Sequence, residues 1–339
     1  MSDLEWRAAW CACAMLASIA GCSNRGLHGS ASAAGGGAAS STSGSGGQGP
    51  VGGGTGGDEP PLDPDLEPPV FVQVWGQYGT APGEFVEPSS VELDADGNVY
   101  VAGHEDRLQK FSAEGSLLDI IGSSGTGDGE FDHPHGLAMD RTAGLLYAGD
   151  QENGRVQVFT TDGAFVLAWS DPQFQHIHDV GIDPVSGDIY VGDYEADIMQ
   201  KSTSTGTPLF DFGTTGSAPG EFQGAWGIAT DSDGRVYVAD TGNQRVQVFS
   251  PEGAVVAEWG GFIKPTGVFV DSSDRIYVCD STADTIAIFG VGGDALASWD
   301  LEAIVGSSSE PEDIIISADG ENIYIGDVLN HRVVHLRRE

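Results

Sequence analysis

Basic residues are the scarcest feature of this chain. Its 339 residues carry 14 Lys+Arg against 51 Asp+Glu, a formal net charge of −37. A surface that acidic repels a phosphate backbone, which argues against nucleic acid as a partner. It suits an exported soluble protein or one that meets cations. Cysteine is scarce too, with 4 in all. Cys11, Cys13 and Cys22 crowd together near the N-terminus, which is no basis for a disulfide framework. Cys279 stands in a strand-like run, Ile276-Tyr277-Val278-Cys279, and is expected to be a buried thiol. The apolar stretch from Ala8 to Gly21 is too short to span a bilayer comfortably and has the length of a signal peptide. Gly-x-Ser-x-Gly elbow, phosphate loop and Cys/His dyad are all missing.

The apolar stretch closes with Ile19-Ala20-Gly21-Cys22, which resembles the bacterial lipobox. That resemblance implies a lipoprotein signal over residues 1–22, with Cys22 acylated and the protein exported and anchored at the cell envelope. Asp3 and Glu5 against Arg7 depart from the positive leading segment such signals carry. Residues 23–69 are rich in Gly and Ser, then in Pro, without apolar periodicity. Such a segment is expected to be a disordered tether, with a reach of roughly 35–40 Å for its Gly/Ser part.

From residue 70 to 339 the chain repeats itself. Strand tyrosines recur at Tyr100, Tyr147, Tyr190, Tyr237, Tyr277 and Tyr324, spaced 47, 43, 47, 40 and 47 apart. The clearest copy reads Gly220-Glu221-Phe222, Trp226-Gly227-Ile228-Ala229-Thr230-Asp231, Asp233-Gly234-Arg235-Val236-Tyr237-Val238-Ala239-Asp240 and Asn243-Gln244-Arg245-Val246-Gln247-Val248-Phe249. Apolar runs alternating with period two, separated by Asp-Gly and Glu-Gly turns, describe a four-stranded meander. Stacked in series, such units make an all-β propeller. Bulky residues end the outer strands at Trp75, Ile121, Trp169, Phe212, Trp259 and Trp299, where packing between blades is expected.

The motif resembles the NHL repeat over about residues 70–336, best at the copies around Tyr147 and Tyr237. The resemblance implies a six-bladed β-propeller of four-stranded blades. The sixth copy ends at Val333-Val334-His335-Leu336 without an outer strand, and Val70-Phe71-Val72-Gln73-Val74-Trp75 is a matching orphan. Closure of the ring by this N-terminal strand is therefore expected. Asp94-Ala95-Asp96-Gly97-Asn98 and Asp231-Ser232-Asp233-Gly234 resemble calcium loops without the downstream glutamate, and read as Asx-stabilised turns. The series Asp150, Asp193, Asp240, Asp280 and Asp327 is expected to tie strands together.

The first strand of each blade places one residue at the channel mouth: Ser89, His135, His178, Trp226, Thr266 and Glu312. Positions two apart on an extended chain point the same way. His133 and His135, with His176 and His178, thus suggest four imidazoles on adjacent blades and a possible divalent metal such as zinc. A polar rim without metal is the alternative. Phe131-Asp132-His133-Pro134-His135-Gly136 also resembles a ligand segment of peptidyl-α-hydroxyglycine α-amidating lyases, six-bladed propellers with a channel zinc on three histidines. The resemblance implies a ligand role for His135 and offers Tyr194 as the lyase tyrosine. It departs at Gln151, where the lyase pattern has arginine, and the alternate-blade positions here are Trp226 and Glu312. The sequence thus favours a non-enzymatic, monomeric binding module for a peptide, glycan or protein. A metal-dependent lyase or hydrolase is the second reading.

Overall fold

The computed structural model describes residues 66–339; the signal segment, Cys22 and the expected tether up to residue 65 lie outside them. Within the described residues, six four-stranded antiparallel sheets follow one another around a ring. Their inner strands are Pro88–Leu93, Pro134–Asp140, Ile177–Ile182, Ala225–Thr230, Pro265–Val270 and Pro311–Ile316. Each inner strand contacts the next, and the sixth contacts the first. We number the blades 1 to 6 by these strands. The sixth blade is completed by Val70–Trp75, which pairs with Arg332–Arg337 and sets Trp75 opposite Val333. This is the expected closure, and it covers the outer edge of Arg332–Arg337. The Leu66 carbonyl accepts from the Trp299 indole at 3.2 Å.

The repeated residues hold blade to blade. All six tyrosines are buried. In four blades the hydroxyl reaches a neighbouring carbonyl: Tyr100 to Thr161, Tyr147 to Ser204, Tyr190 to Pro251 and Tyr324 to Ala113. At five of the six junctions the bulky residue ending an outer strand sits against a turn glycine of the next blade. A Cβ on Gly115 would lie 2.7 Å from Trp75, and one on Gly206 would lie 2.3 Å from Trp169. Those glycines have φ of 78° and 82°, so both the turn and the close approach need glycine. At the last junction no such hairpin exists, because the outer strand of blade 6 comes from the N-terminal side. There Arg338 lies over the Trp299 ring at 5.7 Å instead.

The aspartate series is buried in turn. Asp150, Asp240 and Asp327 each hold an arginine, Arg155, Arg245 and Arg332, at 2.7 Å. They also accept backbone N–H groups at the entry to the inner strand. Blades 3 and 5 lack the arginine, yet Asp193 and Asp280 still take N–H groups from the entry segment. These carboxylates therefore set where the inner strands of blades 2 to 6 begin. Asp94 and Asp231 accept from their own turns, as Asx turns do, and from the tyrosine of the next strand. Cys279 is a free, buried thiol.

Candidate functional site

We call the end of the channel where the inner strands begin the upper end. At this end every inner strand falls out of register with its neighbour. Pairing skips from Pro88 to Ser90, Pro134 to Leu137, Ile177 to Asp179, Ala225 to Ile228, Pro265 to Val268 and Pro311 to Asp313. A bulge frees a residue from the ladder and re-aims its side chain. All six expected channel residues fall in these bulges. Ser89, His135, His178, Trp226 and Glu312 line the upper constriction. Thr266 is buried and donates to the Pro311 carbonyl at 3.0 Å, tying blade 5 to blade 6.

The constriction is nearly filled by rings. His135 and His178 lie 3.7 Å apart, and Trp226 lies 4.0 Å from His178. Tyr194 meets the Trp226 edge at 5.3 Å, and the Lys264 ammonium sits over the indole at 5.0 Å. The free volume is about 10 Å³, room for one water at most. Burial, then the neighbouring His104, holds the His135 imidazole down to about 3. Burial, then His135, puts His178 far below the ordinary range. Burial pushes Glu312 up to about 7 against the pull of Lys264.

The outer pair is placed differently. His133 has φ of 52°, as Glu87 (55°) and Gly224 (75°) have at the equivalent position. An extended chain was the premise for stacking His133 on His135, and the left-handed turn breaks it. His133 lies beside Asp132, at 3.8 Å, and Glu152, at 3.9 Å. His176 lies between Glu152 and Glu195, at 3.2 and 3.3 Å. The four imidazoles therefore form an inner pair in tilted contact and an outer pair set among carboxylates, not one four-nitrogen centre. Among the described residues, His133 groups with Asp106 and Asp132, all with potential ligand atoms within 4.8 Å of one another.

A three-histidine zinc does not fit the channel. The positions alternating with His135 carry an indole and a carboxylate, and His135 Nδ1 lies 3.0 Å from the His178 carbonyl. His104 completes the histidine arc, with its ring 4.9 Å from His133. Sequence reading missed it because Gly103 replaces the repeat aspartate. Its signal is the position one after that aspartate, shared with Gln151, Tyr194, Thr241, Ser281 and Val328. In every blade the N–H at this position donates to a carbonyl in the segment leading into the inner strand.

The lower end is open. A cavity of about 510 Å³ is walled by the distal halves of the inner strands, among them Val91, Leu137, Val180, Ile228, Val268 and Ile314. Asp179 and Asp313, from blades 3 and 6 across the ring, line both this cavity and the upper constriction. The same slot holds glycine in blades 2, 4 and 5. A Cβ on Gly136, Gly227 or Gly267 would come within 2.4, 2.3 or 2.6 Å of the next blade's backbone, so these glycines let the strands converge.

A family model for the NHL repeat matches residues 131–159 and 222–249. The chain carries NHL repeats. These are the two copies around Tyr147 and Tyr237. Protein lin-41 of Caenorhabditis elegans is 45% identical over 51 residues, 15% of this chain and 4% of that protein. E3 ubiquitin-protein ligase TRIM71 of Rattus norvegicus is 41% identical over 49 residues, 14% of this chain and 6% of that protein. The match thus spans about a twentieth of these relatives' length. A virginiamycin B lyase structure from Staphylococcus aureus aligns with TM-score 0.57 at 12% identity, covering 74% of this chain and 95% of that one. The WD40 repeats of RRP9 align with TM-score 0.60 at 11% identity, covering 80% and 99%. Such likenesses confirm the fold. A fold that hosts many unrelated functions does not by itself name an activity.

Proposed function

We propose that this NHL propeller is a non-enzymatic binding module for a peptide, glycan or protein, held at the cell envelope by an acylated Cys22. The observation that supports binding over catalysis is the filled upper constriction. Its conspicuous side chains pack on one another around about 10 Å³, so this end presents a rigid face instead of a substrate pocket. The anchor rests on the Ile19-Ala20-Gly21-Cys22 segment and the Gly/Ser-rich stretch after it.

Two experiments test this reading. Metabolic labelling with an alkyne fatty acid should mark the full chain and leave Cys22→Ala unmarked and in the soluble fraction. Photo-crosslinking from the upper rim, at Glu152 or Glu195, should trap a discrete partner in intact cells. A chain that is unlabelled, or a rim that traps nothing, overturns the corresponding half. The convergence of Asp106, Asp132 and His133 supports a second reading, a divalent metal at the rim serving a lyase or hydrolase. Stoichiometric zinc lost in His133→Ala, together with turnover of a peptidyl-hydroxyglycine, would favour it.

A further inference from the structure

The lower cavity combines two features that are seldom found together. Aliphatic side chains such as Val91, Leu137, Val180 and Ile228 share its walls with polar ones, among them Thr142, Thr230 and Asp183, and its neck holds a pair of carboxylates, Asp179 and Asp313. Asp179 accepts the Ile228 and Val180 N–H groups at 2.7 and 2.8 Å. Asp313 accepts the Val91 and Ile314 N–H groups at 3.0 and 2.8 Å and the Ser90 hydroxyl at 2.9 Å. Among the described residues no cation pairs with either. The other acids around the cavity are engaged. Glu92 meets Arg141 at 3.1 Å, Asp183 meets Lys201 at 2.7 Å, and Asp140 caps its own turn. Arg141, the basic residue of the lining, is held by Glu92 and the Leu93 carbonyl.

A carboxylate so placed is costly when ionised and unpaired. Burial, then mutual repulsion, drives Asp179 far up, and burial holds Asp313 up to about 6. Either a proton or a cation must offset that charge. Both carboxylates already accept N–H groups, which leaves fewer oxygen lone pairs than the roughly six ligands a hard cation takes. A side chain with an apolar stem and a charged tip matches both walls and neck, because its methylenes bury against aliphatic surface while its head reaches the acids.

We propose that the lower cavity receives a lysine or arginine side chain of a partner polypeptide, its cationic head seated on Asp179 and Asp313. This deepens the binding-module reading and rests on it. A polypeptide is favoured over a free amine on two grounds. The cavity of about 510 Å³ exceeds what one basic side chain fills, leaving room for its neighbours. The net charge of −37 steers basic chains toward the protein.

The test is calorimetry on the full chain with three probes: a nonapeptide with a central arginine, the same peptide with norleucine there, and n-butylguanidinium. The arginine peptide should bind at least tenfold more tightly than either other probe. Asp179→Asn/Asp313→Asn should remove that advantage, and Val270→Lys, which supplies an internal ammonium from the half-buried rim, should compete it away. Circular dichroism melting separates lost binding from lost fold. Equal binding of the arginine and norleucine peptides, or of wild type and the double variant, overturns the proposal. Butylguanidinium binding as tightly as the peptide assigns the site to a free amine and overturns it as well. These substitutions leave the upper rim intact. Crosslinking there that persists in the double variant keeps the general binding reading even if this inference fails.

Discussion

The two ends of the channel are built from the same six strands and differ in almost every physical respect. At the upper end a bulge in each strand turns long polar and aromatic side chains inward, and about 10 Å³ remains. At the lower end the ladder is regular and short aliphatic side chains leave about 510 Å³. One irregularity of register, repeated six times, thus separates a plugged face from an open one.

The contrast can be broken most forcefully at the glycines of the neck. Gly227→Ala would set a Cβ 2.3 Å from the Thr266 carbonyl oxygen and 2.9 Å from the Val268 nitrogen. Backbone must move, so a loss of about 3 kcal/mol in urea unfolding is expected. A loss under about 0.5 kcal/mol would show that the neck is looser than described. Next comes ring against aliphatic packing. Trp226→Ala should cost about 3 kcal/mol, because its contacts with His178 and Tyr194 vanish. Val268→Ala, at the end that is already open, should cost about 1.5 kcal/mol. Equal losses would erase the distinction between filled and open ends.

Acid and base sharpen the comparison. At the upper end, His135 is held down to about 3 from an ordinary 6.5. The unfolded chain therefore binds more protons in that window, and stability falls as pH drops from 6.5 toward 3. At the lower end, burial lifts Glu92 to about 7 and Asp313 to about 6. Their contribution is complete below the ordinary carboxylate range, near 4, and is lost as pH rises through 6 to 7. Unfolding measured between pH 4 and 8 should show His135→Asn flattening the acid limb and Glu92→Gln flattening the neutral limb. Unchanged slopes in both variants would refute the assignment. The smallest effect belongs to the rim pair of Arg141 and Glu92. Arg141→Ala should cost about 0.5 kcal/mol, and less still in high salt.

How legible the molecule was depended on whether a residue's role repeats. Tyrosines and bulky outer-strand residues recur once per blade and the buried aspartates in five of the six, so their packing could be read from spacing. The same register puts the six expected channel residues in bulges, five of them lining the constriction. His133 was assigned its direction by strand alternation, and the left-handed turn at φ 52° invalidated that. His104 was overlooked because glycine stands in place of its marker aspartate. The lower cavity left only a faint trace, aspartate in two blades where three others have glycine.

The amino-acid sequence alone determined blade number, strand order and ring closure. Those follow from periodic apolar runs that can bury surface only by stacking on a neighbouring copy, and from a copy and an orphan strand that complete each other. Tertiary structure alone decided which end of the channel is closed, which histidines meet, and that Asp179 and Asp313 face each other across the ring. Those depend on bulges and on the convergence of six strands about an axis, and neither is a property of any one repeat.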